Sequence, residues 1–185
     1  MPAASERDES VTPLARDAQR SRVYRAEDAL AVRLDAARLG APLATVAGSA
    51  LLLPAERRLG SLEAARDYLE RVLALAVVVR AVGHVPPPSV RARRGAHAAH
   101  WEPPGTVAVP LPRHGEPWAL RETVLLHELA HHVGACTDRA SARAHGHRAP
   151  FPALVVLLVG AALGDEAAFV LRVEYGSQRV TTGAW

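Results

Sequence analysis

The segment His127-Glu128-Leu129-Ala130-His131 combines the residue types and the spacing of a hydrolytic metal site. In a helix, side chains four positions apart lie one turn above each other, so His127 and His131 can direct two imidazoles at one ion. Glu128 lies about 100° around such a helix from His127, where it is better placed to contact a water bound to the ion than the ion itself. The spacing therefore predicts two metal ligands and a general base.

Zinc is the metal that these residue types predict. Imidazole nitrogens bind Zn2+ well, and zinc lowers the pKa of a bound water from about 15.7 to about 7, so that hydroxide exists at neutral pH. Glu128 would accept a proton as the water attacks a polarised carbonyl, and would return it to the leaving amine. Leu125, Leu126 and Leu129 can bury the helix and keep the site partly dry.

A catalytic zinc takes a third protein ligand, which must come from downstream of the motif. His145 and His147 follow in a polar, loop-like stretch that can fold back on the helix, and both are candidates. His132 points to a different side of the helix from His131, so we interpret it as a supporting or surface residue. Lone histidines are usually structural or exposed, and three are left out of the predicted site: His97, His100 and His114.

Two other classes of function are compatible with parts of the sequence. In the first, a binding or regulatory module, zinc only holds segment 137–148 against the helix, but such a structural site has no need of Glu128. In the second, a nucleic-acid-associated protease, the basic run 91–94 contacts nucleic acid, although an arginine face on a solvated strand explains the run as well. The sequence contains no zinc ribbon or aromatic-basic module, so a peptide or protein substrate is favoured over nucleic acid.

The hydrophobic periodicity predicts an α+β fold around the motif helix. Helical patterns cover 12–39, 61–75, 117–134, 151–163 and 165–175, and strand patterns cover 45–54, 90–101 and 106–111. Pro117 and Gly134 are residues favoured at the start and just past the end of the motif helix. The segment Glu102-Pro103-Pro104-Gly105 predicts a rigid hairpin loop between the last two strands.

The whole chain has the length of one domain, which we place at 15–176 between short tails at 1–14 and 177–185. The net charge is only +3, which does not by itself point to nucleic acid. Cys136 is the only cysteine, so no intramolecular disulfide can form. Segment 1–10 lacks the apolar core of a signal peptide, and the apolar runs 72–79 and 151–163 fall short of the roughly 20 residues that cross a bilayer. We therefore expect a cytoplasmic protein that does not insert into membranes.

The motif and several further blocks resemble a small actinobacterial family of HExxH metallohydrolases within the broad zincin group. The resemblance rests on the motif extended to His132 and on a downstream histidine followed by an aromatic residue, and it spans 15–175. The other blocks that carry it are Arg16-Asp17-Ala18-Gln19-Arg20-Ser21-Arg22-Val23-Tyr24, Pro54-Ala55-Glu56-Arg57-Arg58, His100-Trp101-Glu102-Pro103-Pro104-Gly105-Thr106 and Phe169-Val170-Leu171-Arg172-Val173.

The resemblance implies a third ligand in a His-Gly-x-x-Phe element, to which the chain offers two partial matches. His145-Gly146 keeps the glycine, whereas His147 keeps the four-residue spacing to Phe151. We prefer His147, because Phe151 begins the apolar helix, although Arg148 stands where the pattern has glycine. A zincin variant with a carboxylate ligand would instead use Glu166 or Glu174.

The resemblance also implies a zincin-like architecture, in which a small twisted sheet packs on the motif helix. An edge strand would follow the cleft, and an extended peptide could join it through main-chain hydrogen bonds. The candidate edge strand is 106–109, with Trp101 and Glu102 at the rim of the cleft. The implied activity is that of a zinc-dependent, metallopeptidase-like hydrolase of peptide or other amide bonds.

Overall fold

The structure, a computed structural model, describes residues 17–94, 98–111, 118–137 and 146–183. Over these residues the fold is α+β, as predicted, with six α-helices and two small sheets. The helices are α1 (Arg20–Arg38), α2 (Leu62–Leu73), α3 (Ala76–Val82), α4 (Glu122–Thr137), α5 (Phe151–Leu163) and α6 (Asp165–Ser177). The strands are β1 (Leu43–Val46), β2 (Ser49–Leu52), β3 (Ser89–Arg93), β4 (His100–Glu102) and β5 (Thr106–Pro110).

The larger sheet has the strand order β3-β5-β4, so β5 is its central strand. β3 pairs with β5 in parallel, and β4 pairs with it antiparallel, with Trp101 opposite Val107. The prediction that 106–109 forms an edge is therefore wrong. Because Val107, Ala108 and Val109 have no solvent exposure, the strand is covered on both faces, as a central strand is.

Two of the predicted strands are each divided into separate elements. The segment predicted as one strand at 90–101 contains the end of β3 at Arg93 and the start of β4 at His100, so the hairpin joins β4 to β5. The segment predicted as one strand at 45–54 is a hairpin of β1 and β2. Ala47 and Gly48 have φ of 50° and 82°, and positive φ at both central residues is the requirement of a type I′ turn.

Helix α4 is largely buried, and other elements pack around it. Leu125, Leu126 and Leu129 have no solvent exposure, and the helix contacts α2, α5 and the larger sheet. It begins at Glu122, after a 3-10 turn at Trp118–Leu120, rather than at Pro117, which lies outside the described residues. It also continues past Gly134 to Thr137, because α5 packs against this turn and the glycine faces Leu154.

The remaining helices follow the predicted periodicity more closely. α1 buries Val23, Ala26, Leu30 and Leu34 and packs along α6, while residues 12–16 of the predicted helix lie outside the described part of the chain. α5 spans the predicted 151–163, and Ser61 caps α2 by accepting a hydrogen bond of 3.1 Å from the Ala64 N–H. Over the residues that the structure describes, no helix is both long enough and apolar enough to traverse a bilayer.

Candidate metal centre

Three histidines from two parts of the chain converge beside α4. The ligating nitrogens of His127, His131 and His147 all lie within 4.8 Å of one another. The first two lie one turn apart on α4, and His147 precedes α5. His145, the alternative third ligand, lies outside the described residues. The group as a whole could hold a metal ion.

Carboxylates fix the tautomers of two of these rings. His127 Nδ1 lies 2.7 Å from Glu27 Oε2, and His147 Nδ1 lies 2.6 Å from Asp17 Oδ2. An ionised carboxylate only accepts hydrogen bonds, so each Nδ1 carries a proton and donates it. The two Nε2 atoms lie 3.2 Å apart and direct their lone pairs toward each other. Only a proton or a cation between them makes this approach favourable.

The separation of these nitrogens fits a metal ion. Two nitrogen ligands of a tetrahedral zinc, with bonds of about 2.0–2.1 Å, lie about 3.3–3.4 Å apart. The observed Nε2–Nε2 distance of 3.2 Å is close to this value. Burial lowers the pKa of His147, and Asp17 opposes this only in part, so the ring is held neutral as a metal ligand requires. Burial also acts to lower the pKa of His127, but Glu27 more than offsets it and the pKa is raised.

The carboxylates are themselves held in place by further hydrogen bonds. The Tyr175 hydroxyl of α6 donates to Glu27 Oε1 at 2.8 Å, which orients the other oxygen toward His127. Asp17 Oδ2 also accepts from the His147 backbone N–H at 2.8 Å. Gly146 allows this approach, because a Cβ at that position would lie 3.1 Å from Asp17 Oδ2. Ligands that are supported in this way lose little freedom when an ion binds.

Aromatic rings enclose the histidine cluster. Phe151, the first residue of α5, stacks on His131 with ring centroids 4.3 Å apart, and it lies 5.0 Å from the ring of His127. Tyr24 of α1 stacks on His127 with centroids 5.1 Å apart. His147 is only 5% exposed. The cluster is therefore shielded from bulk water on several sides, which strengthens electrostatic interactions within it.

Glu128 points from α4 toward the same region as the histidines. It is only 4% exposed, and burial raises the pKa of its carboxyl group, against a backbone hydrogen bond from Trp101 and the charge of His127. A raised pKa makes the carboxylate a stronger base, and Trp101 fixes its orientation from β4. This combination suits a group that accepts and returns a proton.

His132 is a buried supporting residue rather than a surface residue. Its Nε2 donates to the Pro86 carbonyl at 2.7 Å, and its Nδ1 accepts from Trp101 Nε1 at 3.2 Å. Burial lowers its pKa, so the ring is neutral and can both donate and accept. His132 thereby ties β4 to α4, and β4 supplies the backbone contact to Glu128.

Two cavities meet at the centre. One, of about 500 Å³, is lined by Glu128, His131 and His147 together with Arg20 and Arg93. The other, of about 430 Å³, lies toward His127 and has a mostly apolar wall. The residues common to both cavities are Arg20, Tyr24, Ala98, Ala99 and Glu128. Glu128 thus lies where the two cavities meet.

The other described residues considered in the sequence analysis lie outside the histidine group. Glu174 forms an ion pair of 2.9 Å with Arg33 and, like Glu166, does not belong to the histidine group. Trp101 lines the larger cavity, whereas Glu102, the other residue expected at the rim, pairs with Arg91 and His100. His100 lines that cavity too, whereas His97 and His114 lie outside the described residues.

The sequence patterns did not single out the residues that support the histidines: Asp17, Gln19, Tyr24, Glu27 and Tyr175. Gln19 is 6% exposed and donates from Nε2 to the His147 carbonyl, while its Oε1 accepts from the Thr181 N–H at 3.0 Å. Tyr24 and Glu27 lie three residues apart on α1 and flank its apolar stripe as half-buried residues, where polar side chains are ordinary in an amphipathic helix. Asp17, Gln19 and Tyr24 lie in segment 16–24, which carries part of the family resemblance, and that resemblance is the sequence signal that could have indicated them.

Comparisons with known proteins give no indication of the function of this chain. No protein-family model, curated protein or solved structure matches the chain. A function must therefore be argued from the histidine group, Glu128 and the cavities beside them.

Proposed function

We propose that this protein is a zinc-dependent, zincin-type hydrolase that cleaves peptide or other amide bonds. The observation that carries the proposal is the combination of three convergent imidazoles with a buried glutamate in one cleft. A purely structural zinc site is closed by four protein ligands, whereas a catalytic site keeps a position open. Glu128 lines the same cavity as His131 and His147, where it could serve as a general base. A structural zinc site has no need of such a carboxylate.

The ion held by His127, His131 and His147 would supply Lewis acidity and an acidified water. Glu128 would accept a proton from the attacking water through its carboxylate oxygen, and its raised pKa makes it a stronger base than an exposed glutamate. The same carboxyl group then donates the proton to the departing amine nitrogen. The Trp101 backbone contact keeps the carboxylate facing the cleft during both transfers.

Tyr24 provides a neutral hydrogen-bond donor in the same cleft. Burial raises the pKa of its phenol, and the carboxylates of Glu128 and Glu27 act in the same direction against Arg20. The hydroxyl therefore stays protonated at neutral pH. A donor of this kind stabilises the negative oxygen that develops when a carbonyl is attacked.

The test is a Glu128→Gln variant compared with wild type for metal content and for cleavage of a peptide library followed by mass spectrometry. We expect stoichiometric zinc in both proteins and loss of cleavage in the variant, because the amide preserves shape but accepts no proton. Glu70→Gln, at an exposed position of α2, is the control and should cleave like wild type.

Two outcomes would contradict the proposal in different ways. A protein that takes up no zinc would reject the metal site. Zinc uptake without any Glu128-dependent cleavage would instead favour the binding or regulatory module, in which the ion only joins α4 to the segment before α5.

A further inference from the structure

The larger cavity contains two arginines in addition to the histidine group. Arg20 is the first residue of α1, and Arg93 is the last residue of β3. Both line the cavity of about 500 Å³ that also contains Glu128, His131 and His147. The two guanidinium groups therefore approach the metal centre from two different elements.

Neither guanidinium group is neutralised by an acidic side chain. Across residues 17–94, 98–111, 118–137 and 146–183, Arg20 and Arg93 form no ion pair, unlike Arg91, which pairs with Glu102 at 2.7 Å. Two carboxylates line the same cavity, those of Asp17 and Glu128, and Asp17 is engaged by His147. In number they balance the charges of the two arginines, so a bound divalent cation would make the lining net positive.

Both arginines are also held in defined positions. Arg93 Nη1 donates to the Ala98 carbonyl at 2.9 Å and contacts His100 Nδ1. The Arg20 guanidinium lies over the Tyr24 ring, 5.5 Å from its centroid. A guanidinium that is oriented in advance loses less freedom on binding, and its planar set of donors matches a carboxylate.

We infer that the substrate carries a carboxylate, which Arg20 and Arg93 bind beside the scissile amide. This inference rests on the proposed hydrolase function and names its substrate class. The carboxylate is either the C-terminus of a peptide or an acidic side chain next to the cleaved bond. The apolar part of the wall of the second cavity, which includes Ala31, Trp118 and Val124, receives an uncharged part of the substrate.

The test uses four hydroxamates, which bind metal through one end and differ only at the other. Malonyl monohydroxamate is coupled to alanine or alanine amide, and to aspartate amide or asparagine amide. Zinc content of the protein is measured first, and affinities are then determined by calorimetry for wild type, Arg20→Gln, Arg93→Gln and the control Arg71→Gln. Arg71 lies exposed on α2, so its loss changes the net charge equally without touching the cavity.

We expect wild type to bind the acid of at least one pair on the order of tenfold more tightly than its amide, as a charged bidentate contact provides. Each cavity variant should lose most of this preference while binding the amides like wild type, and Arg71→Gln should keep it. The pair that shows the preference identifies the source of the carboxylate.

Equal affinity for acids and amides in zinc-loaded wild type would overturn the inference and leave the metal site intact. Zinc-loaded protein that binds none of the four hydroxamates would overturn the inference as well. Absence of zinc would instead reject the proposed function on which it rests.

Discussion

At the level of single residues, the carboxylates beside the histidines decide which nitrogen can bind an ion. Glu27 and Asp17 each hold a proton on Nδ1, which leaves Nε2 of His127 and His147 as the free donor atoms. A negative charge next to the ring also makes the other nitrogen a better ligand. These carboxylates are therefore part of the candidate metal site, although they contact only the histidines that could bind an ion.

Glu27→Gln is expected to weaken zinc binding by about 10–100-fold, because an amide oxygen carries no charge and accepts more weakly from His127. Affinity is measured by zinc titration in competition with a chelator. Asp28→Asn is the matched control, since it removes the same charge one position along α1 from an exposed residue, and it should bind zinc like wild type. Equal losses in both variants would show that Glu27 acts only through net charge.

The residues of the motif could be predicted from sequence because their relation is local. A spacing of four places His127 and His131 on one face of any helix, whatever the helix packs against. Glu27 and Tyr175 contact the site from α1 and α6, and each depends on a tertiary contact that no local pattern encodes. The sequence offers both His145 and His147 as the third ligand, and the preference for His147 depends on Phe151, which marks the start of the next helix.

At the level of elements, the position of α4 depends on a buried ionic network at its N-terminus. Glu56 Oε1 accepts hydrogen bonds from the Thr123 N–H at 2.8 Å and the Thr123 hydroxyl at 2.6 Å. Glu56 Oε2 pairs with Arg121, which also contacts Asp35 of α1. The network caps the helix and fixes the position of its first turn. Because Asp35 belongs to α1, the network also fixes the position of His127 along α4 relative to α1.

Glu56→Ala is expected to lower the free energy of unfolding by about 3–5 kcal/mol, because it leaves the half-buried Arg121 with only its longer contact to Asp35 and removes the acceptor of the Thr123 N–H. The loss is measured by urea denaturation. Glu70→Ala, at an exposed site on α2, should change stability by less than about 0.5 kcal/mol. A small effect of Glu56→Ala would mean that the helix start is held by packing of Leu120 and Leu125 instead.

Helices could be predicted from sequence more reliably than strands, for a physical reason. The limits of α5 and the Ser61 cap of α2 follow from contacts within a few residues. The position of β5 depends on which strands pair with it, and its neighbour β3 pairs with it in parallel, with strand β4 between the two in sequence. The apolar run Val107 to Val109 does carry a signal of burial on both faces, which favours a central strand over an edge.

At the level of the whole molecule, the metal centre joins parts of the chain that are far apart in sequence. α1 and the residues before it contribute Glu27 and Asp17, α4 contributes two histidines, and the segment before α5 contributes His147. Gln19 extends the same assembly to Thr181 near the C-terminal end of the described chain. An ion bound here would therefore connect most of the helices that form the core.

Zinc is accordingly expected to stabilise the folded state as a whole. At a free zinc concentration 100 times the dissociation constant, binding to the native state alone contributes about 2.7 kcal/mol. For a chain of this size that corresponds to a rise in Tm of about 5–11 °C, measured by calorimetry before and after removal of zinc with a chelator. His147→Ala should abolish most of the rise, because it removes one of the three nitrogens, whereas His145→Ala should keep it. Loss of the rise in His145→Ala beside an unchanged rise in His147→Ala would show that His145 is the third ligand and that the neutral ring of His147 serves another purpose.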